Sequence, residues 1–138
     1  MSNDTLSMKP LVEAGGSLSG LHVAASETYY FPMLQCSHRD SIYGVMAHLQ
    51  GLRYGTGDVT CSIQHSPDAE TPSLFADVSG ASGTLGTGGT IGSPVAATLT
   101  LVANPGANAS LYPFIRIKVV VESATDVLFT SVNVSHRE

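Results

Sequence analysis

Residues 58–78 read DVTCSIQHSPDAETPSLFADV, and the pattern predicts two β-strands joined by a turn. Val59, Cys61 and Ile63 alternate with polar residues, which is typical of a strand with one buried face and one exposed face. The alternation ends at the Ser-Pro-Asp of residues 66–68, because proline and aspartate favour turns. The segment LFADV then resumes an extended pattern. The stretch therefore indicates β structure.

The same period of two recurs near the C-terminus. Residues 114–122 alternate isoleucine and valine with Arg116 and Lys118, and residues 127–136 return after a turn, which predicts a C-terminal antiparallel hairpin. Residues 79–93 are rich in glycine and threonine and predict a loop. Because strands and turns alternate throughout, the chain predicts an all-β fold, either an antiparallel β-sandwich or a jelly roll. Further strands are predicted at residues 21–25, 28–31, 42–54, 74–78 and 95–103.

The apolar phase of these strands defines the predicted core. In the last strand, this phase places Leu128 on the same side as Val132 and Val134. The predicted core residues are Val59, Cys61, Ile63, Ile115, Ile117, Val119, Val121, Val132 and Val134.

Residues 1–20 follow neither the helical nor the strand period, so we expect an extended N-terminal arm before a single β-sandwich domain of residues 21–138. We expect this arm and the glycine-rich loop to contact a partner, since glycine lets backbones approach closely. The candidate interface residues are Leu6, Met8, Leu11, Val12, Leu18, Leu85 and Ile91.

The charge balance argues against nucleic acid as a partner. The formal net charge is −5, the pI is about 5.4, and charged residues make up only 12% of the chain. Nucleic-acid binding needs a basic face, and the close pair Arg116 and Lys118 indicates only a solvated strand face. No secretory signal or membrane span is recognised, so we expect synthesis in a cytoplasm, with Cys36 and Cys61 as free thiols.

Part of the quoted stretch resembles a motif of small structural proteins of tailed-bacteriophage particles. In that motif a strand ends in Gln-x-Ser-x-Asp, and a loop then leads to a strand with the pattern aromatic-x-Asp-Val. The resemblance implies a non-enzymatic cement or decoration protein that binds the outside of a capsid and stabilises it. It implies the major capsid protein as partner, a homotrimer or another homo-oligomer, and a place on the virion surface. A tail, neck or fibre-base component is an alternative within the same particle. The matching residues are Gln64, Ser66, Asp68, Phe75, Asp77 and Val78.

The sequence suggests a structural role for this motif. Asp68 and Ser66 can cap the turn through the nearby backbone, and Asp77 can bond the same connection. We therefore predict that Gln64, Ser66, Asp68, Phe75 and Asp77 brace the hairpin.

Candidate sites for chemistry are few. His65, Asp68 and Glu70 could supply nitrogen and oxygen ligands to a metal, but their spacing fits no established metal loop. We expect no catalysis, no metal and no cofactor.

One aromatic cluster, Tyr29, Tyr30 and Phe31, could serve the core or an interface. Alternation places Tyr29 and Phe31 on one face and Tyr30 on the other. A carbohydrate-binding module is a further alternative, which the absence of tryptophan disfavours.

Overall fold

The computed structural model describes residues 3–7, 21–35, 44–104 and 110–137, and their regular structure is almost entirely β. One short 3-10 turn, Pro72–Leu74, interrupts the strands. No described helix is long and apolar enough to cross a membrane. The strands are β1 (Asn3–Ser7), β2 (Leu21–Val23), β3 (Thr28–Tyr30), β4 (Leu34–Gln35), β5 (Gly44–Tyr54), β6 (Val59–Ser66), β7 (Ala76–Thr84), β8 (Val95–Ala103), β9 (Phe114–Val121) and β10 (Asp126–Arg137).

The strands form two five-stranded antiparallel sheets. Sheet A has the order β1-β10-β5-β8, with β2 also paired to β10. Sheet B has the order β3-β9-β6-β7, with β4 also paired to β9. The predicted all-β sandwich is confirmed, and the core lies between the two sheets.

The predicted core positions are confirmed, because every one of them is at most 2% exposed. Leu49, Leu111 and Phe129 belong to the same cluster. Cys61 is a free thiol within it, and burial raises the pKa of Cys61 to about 12, so the thiol stays protonated. Cys36 lies outside the described residues.

The prediction for Leu128 is wrong, because a bulge changes the phase of β10. The register against β5 shifts between Phe129 and Ser131, which leaves Thr130 as an extra residue. Val127 and Phe129 are therefore buried before the bulge, and Val132 and Val134 are buried after it. Leu128 is only half-buried.

Part of the predicted arm belongs to the sandwich. Asn3–Ser7 are extended, as predicted, and they pair antiparallel with β10, from Asn3 opposite Arg137 to Ser7 opposite Asn133. Five residues of mixed polarity are too few to show a clear period. The rest of the predicted arm lies outside the described residues.

The predicted boundary of the glycine-rich loop is wrong. The strand that was predicted over residues 74–78 begins at Ala76 and continues to Thr84, and Ala81 in its middle is buried. A Cβ on Gly83 would meet Leu99 Cδ1 at 3.0 Å, so β7 packs closely on β8 at this point. The small residues of β7 permit this close packing, although a segment rich in glycine and serine is also typical of a loop.

Candidate functional site

Most residues of the phage-like motif lie close together on the outer face of sheet B. Gln64 points outward from β6, and its register partners are Asp77 on β7 and Arg116 on β9. Gln64, Asp77 and Arg116 therefore form a row across three neighbouring strands, although Arg116 lies far from the other two in the sequence.

A hydrogen-bonded chain runs along this row. Arg116 Nε donates to Gln64 Oε1 at 2.7 Å, and Gln64 Nε2 donates to Asp77 Oδ1 at 2.8 Å. Ser62 Oγ is also within 3.4 Å of Asp77 Oδ1. Gln64 is only 6% exposed, so these bonds satisfy an amide that would be costly to bury unpaired.

Two aromatic rings flank the guanidinium of Arg116. Its Cζ lies 4.1 Å from the ring centroid of Tyr30 and 4.3 Å from that of Phe75. Both distances are within the range of cation–π attraction. We call Tyr30, Gln64, Phe75, Asp77 and Arg116 the Arg116 surface.

The described contacts of the Arg116 surface use only part of the guanidinium. Its Nε is bonded to Gln64, but neither Nη has an acceptor among the described residues. Gln64 and the two rings restrict the guanidinium, so its orientation on this face is defined. The sequence pattern had indicated only a solvated face here.

The other motif residues hold the turn after β6. Ser66 is fully buried; its Oγ donates to Asp68 O at 2.7 Å and accepts from Asp68 N at 3.0 Å. Asp68 Oδ1 accepts from Glu70 N at 3.0 Å, and Oδ2 accepts from Thr71 Oγ1 at 2.7 Å. The structure thus divides the predicted brace: Ser66 and Asp68 fix the turn, whereas Gln64, Asp77 and Phe75 support Arg116.

Replacing Asp68 with alanine should lower the melting temperature by a few degrees at neutral pH. The bonds from Glu70 and Thr71 hold the pKa of Asp68 below its ordinary value, so the ionised carboxylate favours the folded state. This contribution is present above the ordinary aspartate pKa and is lost as the pH falls through the folded-state pKa.

The wild-type and Asp68→Ala melting temperatures should therefore converge in acid. Asp68→Asn, which keeps one acceptor oxygen, should lie between them. Neither wild-type nor variant should respond to a chelator. A sharp fall in the wild-type melting temperature with chelator would instead indicate a structural metal.

Two of the three predicted metal candidates, His65 and Asp68, use their side chains in other contacts. His65 Nδ1 accepts from Tyr112 N at 3.1 Å, and the two rings lie 5.0 Å apart. Burial lowers the pKa of His65, which favours the neutral ring that can accept this bond. Within the described ranges, no three His, Cys, Asp or Glu residues are grouped as metal ligands.

Of the two predicted interface residues in the glycine-rich segment, one is buried and the other is exposed. Leu85 is fully buried, so its prediction as an interface residue is wrong: it packs in the core directly after β7. Ile91 is 82% exposed, at the tip of a turn closed by two backbone hydrogen bonds between Thr90 and Ser93. The side chain of Leu6 and all of Met8, Leu11, Val12 and Leu18 lie outside the described residues.

Arg53 fixes the base of this turn, a role that the sequence predictions missed. Its side chain is 1% exposed, and it donates to Leu85 O at 2.7 Å, Gly86 O at 3.2 Å and Gly88 O at 3.1 Å. It also donates to the carbonyls of Gly55 and Gly57 in the β5–β6 turn. Arg53 thus joins two connections at one end of the sandwich.

Glycine is required where the segment passes Arg53. Gly89 has a φ of +108°, and a Cβ there would lie 2.5 Å from Arg53 O. Gly86 has a φ of +57°, and its Cβ would lie 2.6 Å from Ala97 Cβ. The glycines therefore give this segment a defined path.

The aromatic cluster is split as the alternation predicts. Phe31 is buried, with its ring centroid 5.2 Å from Tyr29 and 5.4 Å from Phe129, both in edge-to-face geometry. Tyr30 is 44% exposed and belongs to the Arg116 surface.

No protein-family model matches the chain, and no curated protein matches it. Among solved structures, the chain is similar to the CBM36-1 domain of a multidomain xylanase from the hindgut metagenome of Trinervitermes trinervoides. The identity is 11%, the match covers 96% of each chain, and the TM-score is 0.46. This similarity carries no information about what the chain binds.

Proposed function

We propose that this protein is a non-enzymatic structural component of a tailed-phage particle, which binds the capsid exterior and stabilises it. The Arg116 surface is its contact with the major capsid protein. The observation that carries the proposal is that the phage-like motif supplies Gln64, Phe75 and Asp77, which hold Arg116 through its Nε and one ring contact, while neither Nη has an acceptor among the described residues.

The chemistry of Arg116 favours a carboxylate on the partner. A guanidinium can donate two parallel hydrogen bonds to one carboxylate, and this geometry is stronger and more specific than contact with a lysine. The flanking rings reduce the side-chain freedom that is lost on binding. Exposed Tyr30 adds a partly apolar rim of the kind enriched in protein interfaces.

Repetition on a symmetric shell would make such contacts effective. Each subunit needs only a modest contact if the protein is a homo-oligomer whose subunits engage neighbouring coat subunits at the same time. The expected trimer, or another homo-oligomer, would supply this multivalency.

Binding of variants to capsids assembled from the coat protein alone tests the proposal. Arg116→Ala should weaken binding by about tenfold or more, as expected for an arginine at the centre of an interface. Arg116→Lys should recover only part of the loss, because lysine cannot form the paired hydrogen bonds. Lys118→Met is the matched control, since it removes one positive charge from the same face of β9.

If Arg116→Ala and Lys118→Met weakened capsid binding equally, the loss would come from positive charge in general and not from a specific contact of Arg116. That result would contradict the proposed contact. Unchanged binding of Arg116→Ala would contradict it as well. Binding of a soluble polysaccharide through Tyr30 and Phe75 would favour the carbohydrate-binding alternative, although Arg116 occupies one face of each ring.

A further inference from the structure

His65 connects strand β6 to the segment that leads into β9. Its Nδ1 accepts a hydrogen bond from the backbone nitrogen of Tyr112 at 3.1 Å, and the two ring centroids lie 5.0 Å apart with the planes tilted by 37°. Residues 110–113 directly precede β9. Leu111 in this segment is buried in the core, whereas Tyr112 is 48% exposed. His65 therefore holds Tyr112 at the surface, beside the point where Leu111 enters the core.

The hydrogen bond requires a neutral His65. A backbone N–H can only donate, so Nδ1 must present its lone pair and the ring proton must lie on Nε2. An imidazolium carries a proton on both nitrogens, which would place two N–H groups against each other across this 3.1 Å distance. Protonation of His65 at Nδ1 and the bond from Tyr112 therefore exclude each other.

The residues that pair with His65 carry no charge that would favour protonation. His65 lies opposite Ile115 of β9 and Ala76 of β7. The next residues on these strands, Arg116 and Asp77, are bonded to Gln64 on the outer face of sheet B. Strand β8 of sheet A, which also contacts β6, contains no ionisable side chain.

Other ionisable groups lie at the same end of the sandwich. In the connection after β6, Asp68 accepts hydrogen bonds within its own turn, and Glu70 is exposed. Carboxyl groups ordinarily titrate about two pH units below histidine, so they keep their charge while His65 titrates. His136 lies buried near the end of β10, opposite Val45. An experiment on His65 must therefore distinguish these two histidines.

We propose that His65 is a pH-sensitive switch for residues 110–113: the neutral ring holds Tyr112 against β6, and the protonated ring releases the segment. Burial lowers the pKa of His65, because the charged ring loses solvation inside the protein. The contribution of the bond is thus fully present above the ordinary histidine pKa of about 6.5 and is lost as the pH falls through the lowered folded-state pKa. The inference does not depend on the proposed function.

The release should stay local. The pairing of β9 with β6 begins at Phe114 opposite Ser66 and continues to Val121 opposite Val59. These backbone hydrogen bonds contain no group that titrates near neutral pH. Because a short segment can open while the sheets remain folded, the Tyr112 amide should respond to pH and the amides of β9 should not.

Hydrogen exchange and NMR titration of the purified full chain test the switch. Between about pH 7.5 and pH 5, the opening constant of the Tyr112 amide, corrected for the intrinsic exchange rate, should rise by up to about tenfold per pH unit. The Ile117 amide should keep its protection over the same range. The chemical shift of the Tyr112 amide should titrate with the same midpoint as the His65 ring.

Two variants at position 65 separate the acceptor from the titration. His65→Asn keeps a side-chain acceptor near the position of Nδ1 but does not titrate, so Tyr112 should stay protected and its pH dependence should disappear. His65→Phe keeps a ring without an acceptor, so Tyr112 should exchange rapidly at both ends of the pH range. His48→Asn is the matched control: this histidine lies on sheet A beside Thr100, so the variant should keep the wild-type response.

Three results would overturn the proposal. One is a Tyr112 amide whose protection does not change over this pH range. The second is a pH response that persists in His65→Asn, which would assign it to another group such as His136. The third is an equal loss of protection at Tyr112 and Ile117, which would indicate unfolding of the whole sandwich. If a variant fails to fold, different titration midpoints for the His65 ring and the Tyr112 amide in the wild type would overturn the proposal as well.

Discussion

Replacing Arg53 with methionine should lower the free energy of unfolding by at least about 3 kcal/mol and the melting temperature by roughly 10 °C. The side chain is buried and donates only to backbone carbonyls, those of Gly55, Gly57, Leu85, Gly86 and Gly88. Methionine has a comparable length but offers no donor. The carbonyls would lose their partner while the backbone that carries them remains in place.

This case differs from replacing a complete buried ion pair. When both charged partners are exchanged for apolar residues, the loss of stability can be small, because no polar group remains unpaired. The carbonyls around Arg53 cannot be exchanged, so each one that water cannot reach carries a desolvation penalty.

Thermal and urea unfolding of Arg53→Met, Arg53→Lys and Arg116→Met would measure the effect. Arg53→Lys keeps the charge but has fewer donors, so it should recover only part of the stability. Arg116→Met removes an arginine from the outer face of sheet B and should cost much less. A loss below about 1 kcal/mol for Arg53→Met would show that these bonds contribute little.

Replacing Ile117 with alanine should cost about 2–5 kcal/mol, through the lost transfer free energy and the cavity that remains. Ile117 is 1% exposed on β9, opposite Ile63 of β6 at the centre of sheet B. Relaxation into the cavity is restricted, because neighbouring strands are hydrogen-bonded on both sides of β9.

Val120→Ala is the matched control, since Val120 lies on the same strand and is 37% exposed on its opposite face. Its loss should be much smaller than that of Ile117→Ala. Comparable losses in chemical denaturation would mean that the inward and outward faces of β9 are misassigned, which would correspond to a register shift of one residue.

The sequence could predict the regular strands because their buried faces repeat every second residue. Ile115, Ile117 and Val119 follow this period without interruption, and all three are buried. The bulge at Thr130 could not be predicted in this way, since one inserted residue reverses the phase and leaves the composition unchanged. Arg53 did leave a signal: it continues the inward phase of Val45, Ala47 and Leu49, where a charged residue is unusual.

The Arg116 surface could be predicted only in part. The motif placed Gln64, Phe75 and Asp77 close together, because they lie on one hairpin. Tyr30 and Arg116 join them only through the strand order β3-β9-β6-β7, which brings distant segments into contact. Local patterns do not specify this order.

The central claim is that the protein is a capsid component, and its copy number in purified virions tests this most directly. Quantitative mass spectrometry against the major capsid protein would give that number. A decoration protein should be present at a fixed ratio to the coat protein, in hundreds of copies per particle, because it repeats with the capsid lattice. About a dozen copies would instead indicate the neck or tail alternative. Absence of the protein from intact virions would contradict the account.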